Sequence, residues 1–220
     1  MEATSEITGG DLQNYTEAPS GLSSEIVSTT ETSAQTLIER PKRADARRNY
    51  EKVLTTARQA FAEGGESTAL EEIARRAGVG IGTLYRHFPN RQALLEALYV
   101  GEVEEMCRSA AELDGTDPWQ ALNTWFEGFI AYIGTKRALA AELSNYLDQD
   151  AELFQVCRTS LFAAGEPLLK RAQEAGVVRQ DVSIGELIQM VVGIVKIPAK
   201  DPEQNAHILR VALDGLRYRD

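Results

Sequence analysis

The side chains best suited to chemistry lie together in one short segment, "GVGIGTLYRHFPN" at positions 78–90. A hydroxyl, a phenol, a guanidinium and an imidazole occur within five residues of one another, at Thr83, Tyr85, Arg86 and His87. Groups of these kinds hydrogen-bond phosphate oxygens and base edges, and glycines allow a backbone to approach a ligand closely. The segment therefore offers the chemistry of polar recognition rather than that of a buried core.

The spacing around this segment predicts two short helices joined by a turn. Thr68 and Glu71 have the spacing of a capping box, which would open a helix ending near Ala77. Gly78 suits the left-handed position that ends a helix, and a very short helix is expected at about 81–87. Leu84 and Phe88 lie four residues apart and share the face that would anchor this helix. Such a helix-turn-helix can place its second helix in the DNA major groove.

The rest of the chain also has helical periodicity. A first helix is expected from Ala44 to the glycines at 64–65, and Asn90 and Asp117 are expected to cap the next two long helices. We expect a separate helix to carry Leu139, Leu143 and Tyr146, and another over 150–175 to be kinked or split at Pro167. The last two helices are expected to begin after a cap at Ser183 and at residues 201–202. No strand-hairpin signal is found, and the predicted fold is all-α.

Charge divides the chain into three parts. The formal net charge of the 220 residues is −10. Residues 1–39 contribute −7 without any Lys or Arg, residues 40–100 contribute +4, and residues 101–220 contribute −7. We therefore predict a disordered acidic tail over 1–40, a DNA-binding domain over 41–92 and a larger helical domain over 93–220.

Composition weighs against several other classes. No apolar run is long enough for a membrane span, the N-terminus does not resemble a secretory signal, and a cytoplasmic protein is expected. Cys107 and Cys157 have no metal-site spacing, which leaves two buried thiols or a redox-sensing pair as interpretations. With two histidines and no nucleophile–base pair, phosphate loop or metal motif, we predict neither a cofactor nor enzymatic activity.

The stretch "TALEEIARRAGVGIGTLYRHFPNRQALLEAL" resembles the N-terminal domain of TetR/AcrR-type transcriptional regulators. The resemblance is strong over about 44–100, and the later helices fit the family in number and length only. It implies phosphate contacts from five side chains, at Thr68, Thr83, Tyr85, His87 and Arg91. It also implies that Ile81 and Gly82 lie nearest the bases, and that a basic segment including Lys42, Arg43, Arg47 and Arg48 reaches the DNA backbone or a minor groove.

Two positions depart from the family pattern. Gly80 stands where Ser or Thr often caps the recognition helix, and glycine caps a helix slightly less well. Ile81 stands where a polar or basic base-reading residue is common, which favours contact with a thymine methyl group over a hydrogen bond. We expect Arg86 to be the direct base reader.

The larger domain is expected to provide a dimer interface and an effector site. Apolar stripes on the last two helices could form a four-helix seam across a two-fold axis, or could pack only within the subunit. The seam residues would be Leu187, Val191, Val195, Leu209, Leu213 and Leu216. Aromatic-rich central helices could line a small-molecule pocket, although such residues often form simple core. The expected lining is Met106, Trp125, Phe129, Tyr146 and Phe162.

These expectations describe a ligand-responsive repressor that binds a palindromic operator as a homodimer. A helical ligand-binding or interaction protein without DNA binding is the alternative, and an enzyme is a third. The basic cluster at 42–48 together with Arg86 and Arg91 favours DNA binding over the first alternative. The absence of a catalytic motif disfavours an enzyme.

Overall fold

The computed structural model describes residue 38 and the ranges 40–64, 68–148, 151–196 and 202–217. Within these ranges the chain forms eight helices, which we number in chain order. They are α1 (Ala44–Gly64), α2 (Leu70–Ala77), α3 (Ile81–His87), α4 (Arg91–Glu112), α5 (Pro118–Leu143), α6 (Glu152–Glu174), α7 (Ile184–Lys196) and α8 (Pro202–Asp214). The all-α prediction is confirmed. Most of the predicted acidic tail, residues 1–37 and 39, lies outside the described residues.

Helices α1 to α3 pack together as a head. Tyr50, Val53 and Leu54 of α1 share one hydrophobic core with Ile73 of α2 and with Leu84. Gly78 ends α2 with φ 66° and ψ 33°, the left-handed conformation that its position requires, and the N–H of Val79 donates to the Ala74 carbonyl. The predicted bounds of α3 are confirmed, and Gly80 is its N-cap.

The long helices α4, α5 and α6 pack against one another as the body of the protein. Asn90 caps α4 by accepting from the Ala93 N–H, and Asp117 caps α5 by accepting from the Gln120 N–H, both as predicted. Helix α4 starts in the head and continues into the body, so one rigid element passes through the predicted domain boundary at 92/93.

Two predicted breaks between helices are absent. The stretch with Leu139 and Leu143 is not a separate helix but the end of α5, which runs without interruption for 26 residues. Helix α6 likewise continues through Pro167 as one element, so the helix is not split there, and the alternative of a kink stays a prediction. The sequence signals at these points are local, and packing of both helices against α4 outweighs them.

Aromatic side chains fill the interior of the body. Trp125 stacks on Phe129 with ring centroids 5.6 Å apart, and Phe129 stacks on Tyr132 at 5.4 Å. Gly165 on α6 lies against this cluster, because a Cβ there would come within 2.7 Å of the Trp125 ring. The glycine therefore allows α6 to approach α5 closely.

Helices α7 and α8 complete the body. The predicted capping box at α7 is confirmed, since the Ser183 N–H donates to Glu186 at 2.8 Å and the Glu186 N–H donates to the Ser183 hydroxyl at 3.3 Å. An isolated antiparallel bridge joins Val178 to Arg217 beyond the end of α8. Among the described helices, none has the length and apolar character needed to cross a membrane.

The two cysteines are free thiols within the body. Burial raises the pKa of Cys107 to about 11 and that of Cys157 to about 12. Because the thiolate is the reactive form, these shifts favour the interpretation of two structural thiols over a redox-sensing pair.

Candidate nucleic-acid interface

Helix α3 has one buried face and one exposed face. Leu84 is fully buried and Phe88, just beyond the helix, is 1% exposed and stacks on Tyr50 with centroids 4.9 Å apart. By contrast, Ile81 is 40% exposed and Tyr85 is 41% exposed, one helical turn apart. The buried pair anchors the helix, and the exposed pair faces away from the protein.

The polar side chains predicted on α3 lie along the same exposed side. Arg86 is exposed, and its Nη2 is 3.4 Å from the Thr83 hydroxyl. The Tyr85 hydroxyl is 3.4 Å from a carboxylate oxygen of Glu71 on α2. Both distances are at the long limit of a hydrogen bond, so these groups can turn to a ligand at little cost.

His87 lies at the junction between the exposed face and the core. Its ring is half-buried and meets Tyr50 edge to face with centroids 6.0 Å apart. Burial, and secondarily the neighbouring Arg86 charge, holds the pKa of His87 below its ordinary value of 6.5. The imidazole is therefore neutral near pH 7 in the absence of a ligand.

An open groove of about 690 Å³ lies beside the turn between α2 and α3. Its walls come from the first half of α1 and the end of α2 and carry four basic side chains, those of Arg47, Arg48, Lys52 and Arg76. Lys52 and Arg76 were not predicted to bind DNA. Lys52 could have been found from the sequence, because it lies one turn beyond Arg48 on the same face of α1.

The basic segment at 42–48, which leads into α1 and forms its first turn, is exposed at Lys42, Arg43 and Arg47. Just before it, Ile38 packs against the core and Arg40 pairs with Glu104 of α4. The predicted tail over 1–40 is therefore too long at its C-terminal end. These two interactions fix the point at which the basic segment leaves the body.

Thr68 was predicted to cap α2, but it does not. Ala69 is the N-cap, without a side-chain bond, and Thr68 is 9% exposed with its hydroxyl donating to the Ala60 carbonyl at 3.0 Å. The hydroxyl proton is therefore used in a hydrogen bond to a carbonyl near the end of α1 and is not directed to a phosphate. The capping prediction is wrong, and a phosphate contact would need the hydroxyl to leave Ala60.

Arg91 is held by the protein itself. Its guanidinium donates to the Thr68 carbonyl, pairs with Glu142 of α5 at 2.7 Å and lies over the Phe61 ring at 4.7 Å. A cation in the first turn of α4 opposes the helix dipole, and the phosphate contact implied by the family resemblance would relieve that conflict. In the structure a carboxylate from the far end of α5 takes that place, so the contacts of Arg91 do not support the predicted phosphate role.

Arg91 belongs to a set of ion pairs between head and body. Arg58 of α1 pairs with Glu102 in the middle of α4, as Arg40 pairs with Glu104. The Arg91–Glu142 pair is the most enclosed of the three, with side chains 23% and 10% exposed. Together these ion pairs connect the orientation of the head to the positions of α4 and α5.

Four of the five predicted pocket residues are buried in the body. They are Met106, Trp125, Phe129 and Phe162, and the Trp125 indole N–H donates to the Met106 carbonyl at 3.1 Å. Tyr146 is different, because it lies in the turn after α5 and is 47% exposed. Tyr146 is therefore not buried in the body with the other four, and the role of all five as pocket lining stays a prediction.

Lys136 is a buried polar residue that the sequence did not single out. It lies on α5 with its ammonium 4.8 Å from the Tyr99 ring centroid and 5.3 Å from that of Tyr132. Burial lowers the pKa of Lys136 to about 8. Its spacing of four residues from Tyr132 is the only sequence signal for this arrangement.

The predicted seam residues belong largely to the subunit core. Five of them are buried within the subunit, namely Leu187, Val191, Leu209, Leu213 and Leu216, and Val195 is half-buried. Periodicity correctly found the apolar faces of α7 and α8, but those faces pack inward. The residues that α7 and α8 expose include Val211, which is 59% exposed, and Gly193.

The head and its exposed recognition helix define a protein of the helix-turn-helix class. Two family models agree with this class and also identify the family. Residues 53–98 match the model described as bacterial regulatory proteins of the tetR family, and residues 117–218 match the C-terminal domain of SbtR-like transcriptional regulators.

Two solved structures resemble this chain over most of its length. The TetR transcriptional regulator SCO0520 from Streptomyces coelicolor is 35% identical, with a TM-score of 0.68, over 77% of this chain and 99% of that one. The TetR regulatory protein from Mycobacterium vanbaalenii is 34% identical, with a TM-score of 0.67, over 81% and 100%. The chain belongs to the TetR family of transcriptional regulators.

Similarity to curated relatives is confined to a shorter part of the chain. An HTH-type transcriptional regulator of Staphylococcus aureus is 37% identical over 70 residues, which are 31% of this chain and 37% of the relative. This chain spans less than half the length of the curated relatives it matches.

Proposed function

We propose that this protein represses transcription by binding a palindromic operator as a homodimer and releasing it when a small molecule binds. The observation that carries the proposal is the two-sided α3, which is anchored by Leu84 and Phe88 and turns Ile81 and Tyr85 outward. Such a helix fits the major groove, and its site of action would be the cytoplasm. A regulatory role without catalysis is part of the proposal.

The DNA contacts fall into two kinds. The exposed basic segment, the groove beside the α2–α3 turn, Tyr85 and His87 would hold the phosphate backbone. Arg86 would read base edges, because its side chain is exposed and only weakly held by Thr83. We assign Arg91 to positioning of the head, since its guanidinium already binds Glu142 and the Thr68 carbonyl.

The dimer would form through the outward faces of α7 and α8. Val211 is the most exposed large apolar residue in the described chain, and Ile208 and Ala212 lie beside it at helical spacing. Gly193 on α7 is exposed, with open space around a Cβ built there, which would let a second copy approach closely. An isologous four-helix interface uses such a patch on both subunits.

The effector would act on the body, where α5 carries both the aromatic cluster and the ion pair to the head. A ligand that moves α5 shifts Glu142, and with it Arg91 at the start of α4. The coupling free energy between effector and DNA would equal the difference between the effector's binding free energies for the DNA-competent and DNA-incompetent geometries.

The proposal is tested by selecting DNA from a random pool with the purified protein and sequencing the bound fraction. We expect a palindrome with half-sites about one helical turn apart. Sedimentation should show a dimer, and Val211→Asp should produce monomers that bind the selected duplex at least tenfold more weakly. The exposed Thr124→Asp on α5, outside the proposed interface helices, tests whether the position, rather than added charge, matters. Recovery of no enriched sequence would refute the proposal.

A further inference from the structure

Gly82 lies in the first turn of α3, and nothing inside the protein requires a glycine there. It is exposed, and a Cβ built on its backbone meets no heavy atom within 4 Å. Its backbone also lacks the positive φ found at Gly78, Gly115 and Gly176. Glycine within a helix is less favourable than alanine, and α3 has only seven residues. The missing side chain therefore weakens a short helix without any benefit to packing.

The residue beside this gap is a large exposed apolar side chain. Ile81 is 40% exposed and begins α3, while Leu84, one turn along the helix, is fully buried. An isoleucine has no hydrogen-bonding group, so it cannot read the donor and acceptor pattern of a base pair. The apolar feature of the major-groove edge is the 5-methyl group of thymine. An apolar side chain next to open space matches that methyl group in chemistry and in size.

We propose that Ile81 packs against a thymine methyl group in each half-site, and that Gly82 is bare so that α3 can approach that base pair. This inference rests on the proposed DNA binding and specifies which base chemistry the helix recognises. It predicts a thymine at one fixed position of each half-site. It also predicts that any side chain added at position 82 meets the DNA rather than the protein.

The first test uses Gly82→Ala, for which protein stability and DNA affinity should change in opposite directions. We expect an unchanged or higher Tm, because alanine favours the helix and the space is open, together with at least tenfold weaker binding to the selected duplex. Gly128→Ala is the matched control, since Gly128 is exposed on α5 and a Cβ there meets only the end of Met106 at 3.8 Å. It should bind DNA like the wild type. A Gly82→Ala protein that binds DNA normally, or that loses stability, overturns the proposal.

The second test replaces each thymine of the selected duplex by uracil, which removes only the methyl group. Uracil at one position of each half-site should weaken wild-type binding by about fourfold, the contribution expected for one buried methyl-sized group. The Ile81→Ala variant should show no loss at that same position. Equal losses in both proteins, tolerance of uracil everywhere, or half-sites without thymine would overturn the proposal.

These outcomes separate the inference from the proposed function. A palindromic duplex that is bound tightly but is insensitive to uracil and to Gly82→Ala refutes the thymine contact alone. Failure to enrich any duplex refutes DNA binding and the thymine contact with it.

Discussion

Two helical glycines of this protein have opposite surroundings. Gly165 on α6 faces the Trp125 ring so closely that a Cβ would come within 2.7 Å, whereas Gly82 on α3 faces open space. The first glycine is explained by packing inside the subunit. The second finds its explanation in a partner that is not part of the chain. The same residue type thus has a structural role in the body and a recognition role in the head.

The arginines divide in the same way. Arg43 lies just before α1 and Arg47 in its first turn, and both are exposed. Arg91, in contrast, is enclosed by Glu142, the Thr68 carbonyl and the Phe61 ring. An exposed guanidinium can release counterions from DNA, whereas an enclosed one joins two parts of the protein. Basic residues near a recognition helix therefore cannot all be assigned to the phosphate backbone.

The largest expected effect concerns the glycine inside the body. Gly165→Ala should lower the free energy of unfolding by about 1–3 kcal/mol, because the added methyl group forces Trp125 or Ile184 to move. Urea denaturation measures this, and Gly128→Ala is the control that should not lose stability. If the urea midpoint of Gly165→Ala equalled that of the wild type, Gly165 would not be required by packing and would no longer differ from Gly82 in this respect.

The exposed arginines provide the next effect. Replacing both Arg43 and Arg47 by Ala should weaken binding to every duplex by about tenfold, because the attraction of a cation to phosphate is independent of sequence. The slope of log affinity against log salt should become shallower by about 0.9 for each phosphate that is no longer neutralised. A change in sequence preference with an unchanged salt slope would contradict the backbone role.

Arg91 should behave differently from those arginines. Arg91→Gln and Glu142→Gln should each destabilise the protein, with a coupling free energy of about 1 kcal/mol in a double-mutant cycle of urea unfolding. The salt slope of DNA binding should stay that of the wild type. A slope shallower by about 0.9 in Arg91→Gln would instead restore the phosphate role predicted from the sequence.

The smallest effect is a pH dependence at His87. Partial burial and Arg86 hold the pKa of His87 below 6.5, so the free protein has a neutral ring at pH 7.5. A phosphate beside the ring would favour the imidazolium and raise the pKa in the complex, so affinity should increase several-fold as the pH falls below 6.5. The His87→Asn variant should not show this increase in DNA affinity at low pH. Identical pH profiles for both proteins would exclude a phosphate contact at His87.

The sequence was most informative where local signals were enough. Helix α3 was predicted with its correct bounds because Gly80 and Pro89 limit it and Leu84 and Phe88 anchor it. The capping pattern at Thr68 failed because its hydroxyl is used by the carbonyl of Ala60, eight residues earlier, at the end of α1. A hydrogen bond between helices of this kind is not visible in the spacing of a capping box.

The remaining errors also come from long-range packing. Arg91 was expected to need an external anion, but its carboxylate partner lies 51 residues further along the chain. The apolar faces of α7 and α8 were recognised correctly, yet periodicity does not distinguish a face that packs within the subunit from one that meets a second copy. Side-chain exposure in the subunit, 59% for Val211 and 0% for Leu209, is the basis on which we propose Val211 for the interface.

Hydroxyl-radical footprinting of the selected duplex tests most directly whether the exposed face of α3 enters the DNA groove in two copies. We predict two protected patches on one face of the duplex, about one helical turn apart, and their disappearance when Ile81→Ala and Arg86→Ala are combined. Uniform cleavage along the whole duplex, or protection that persists in the double variant, would contradict the account.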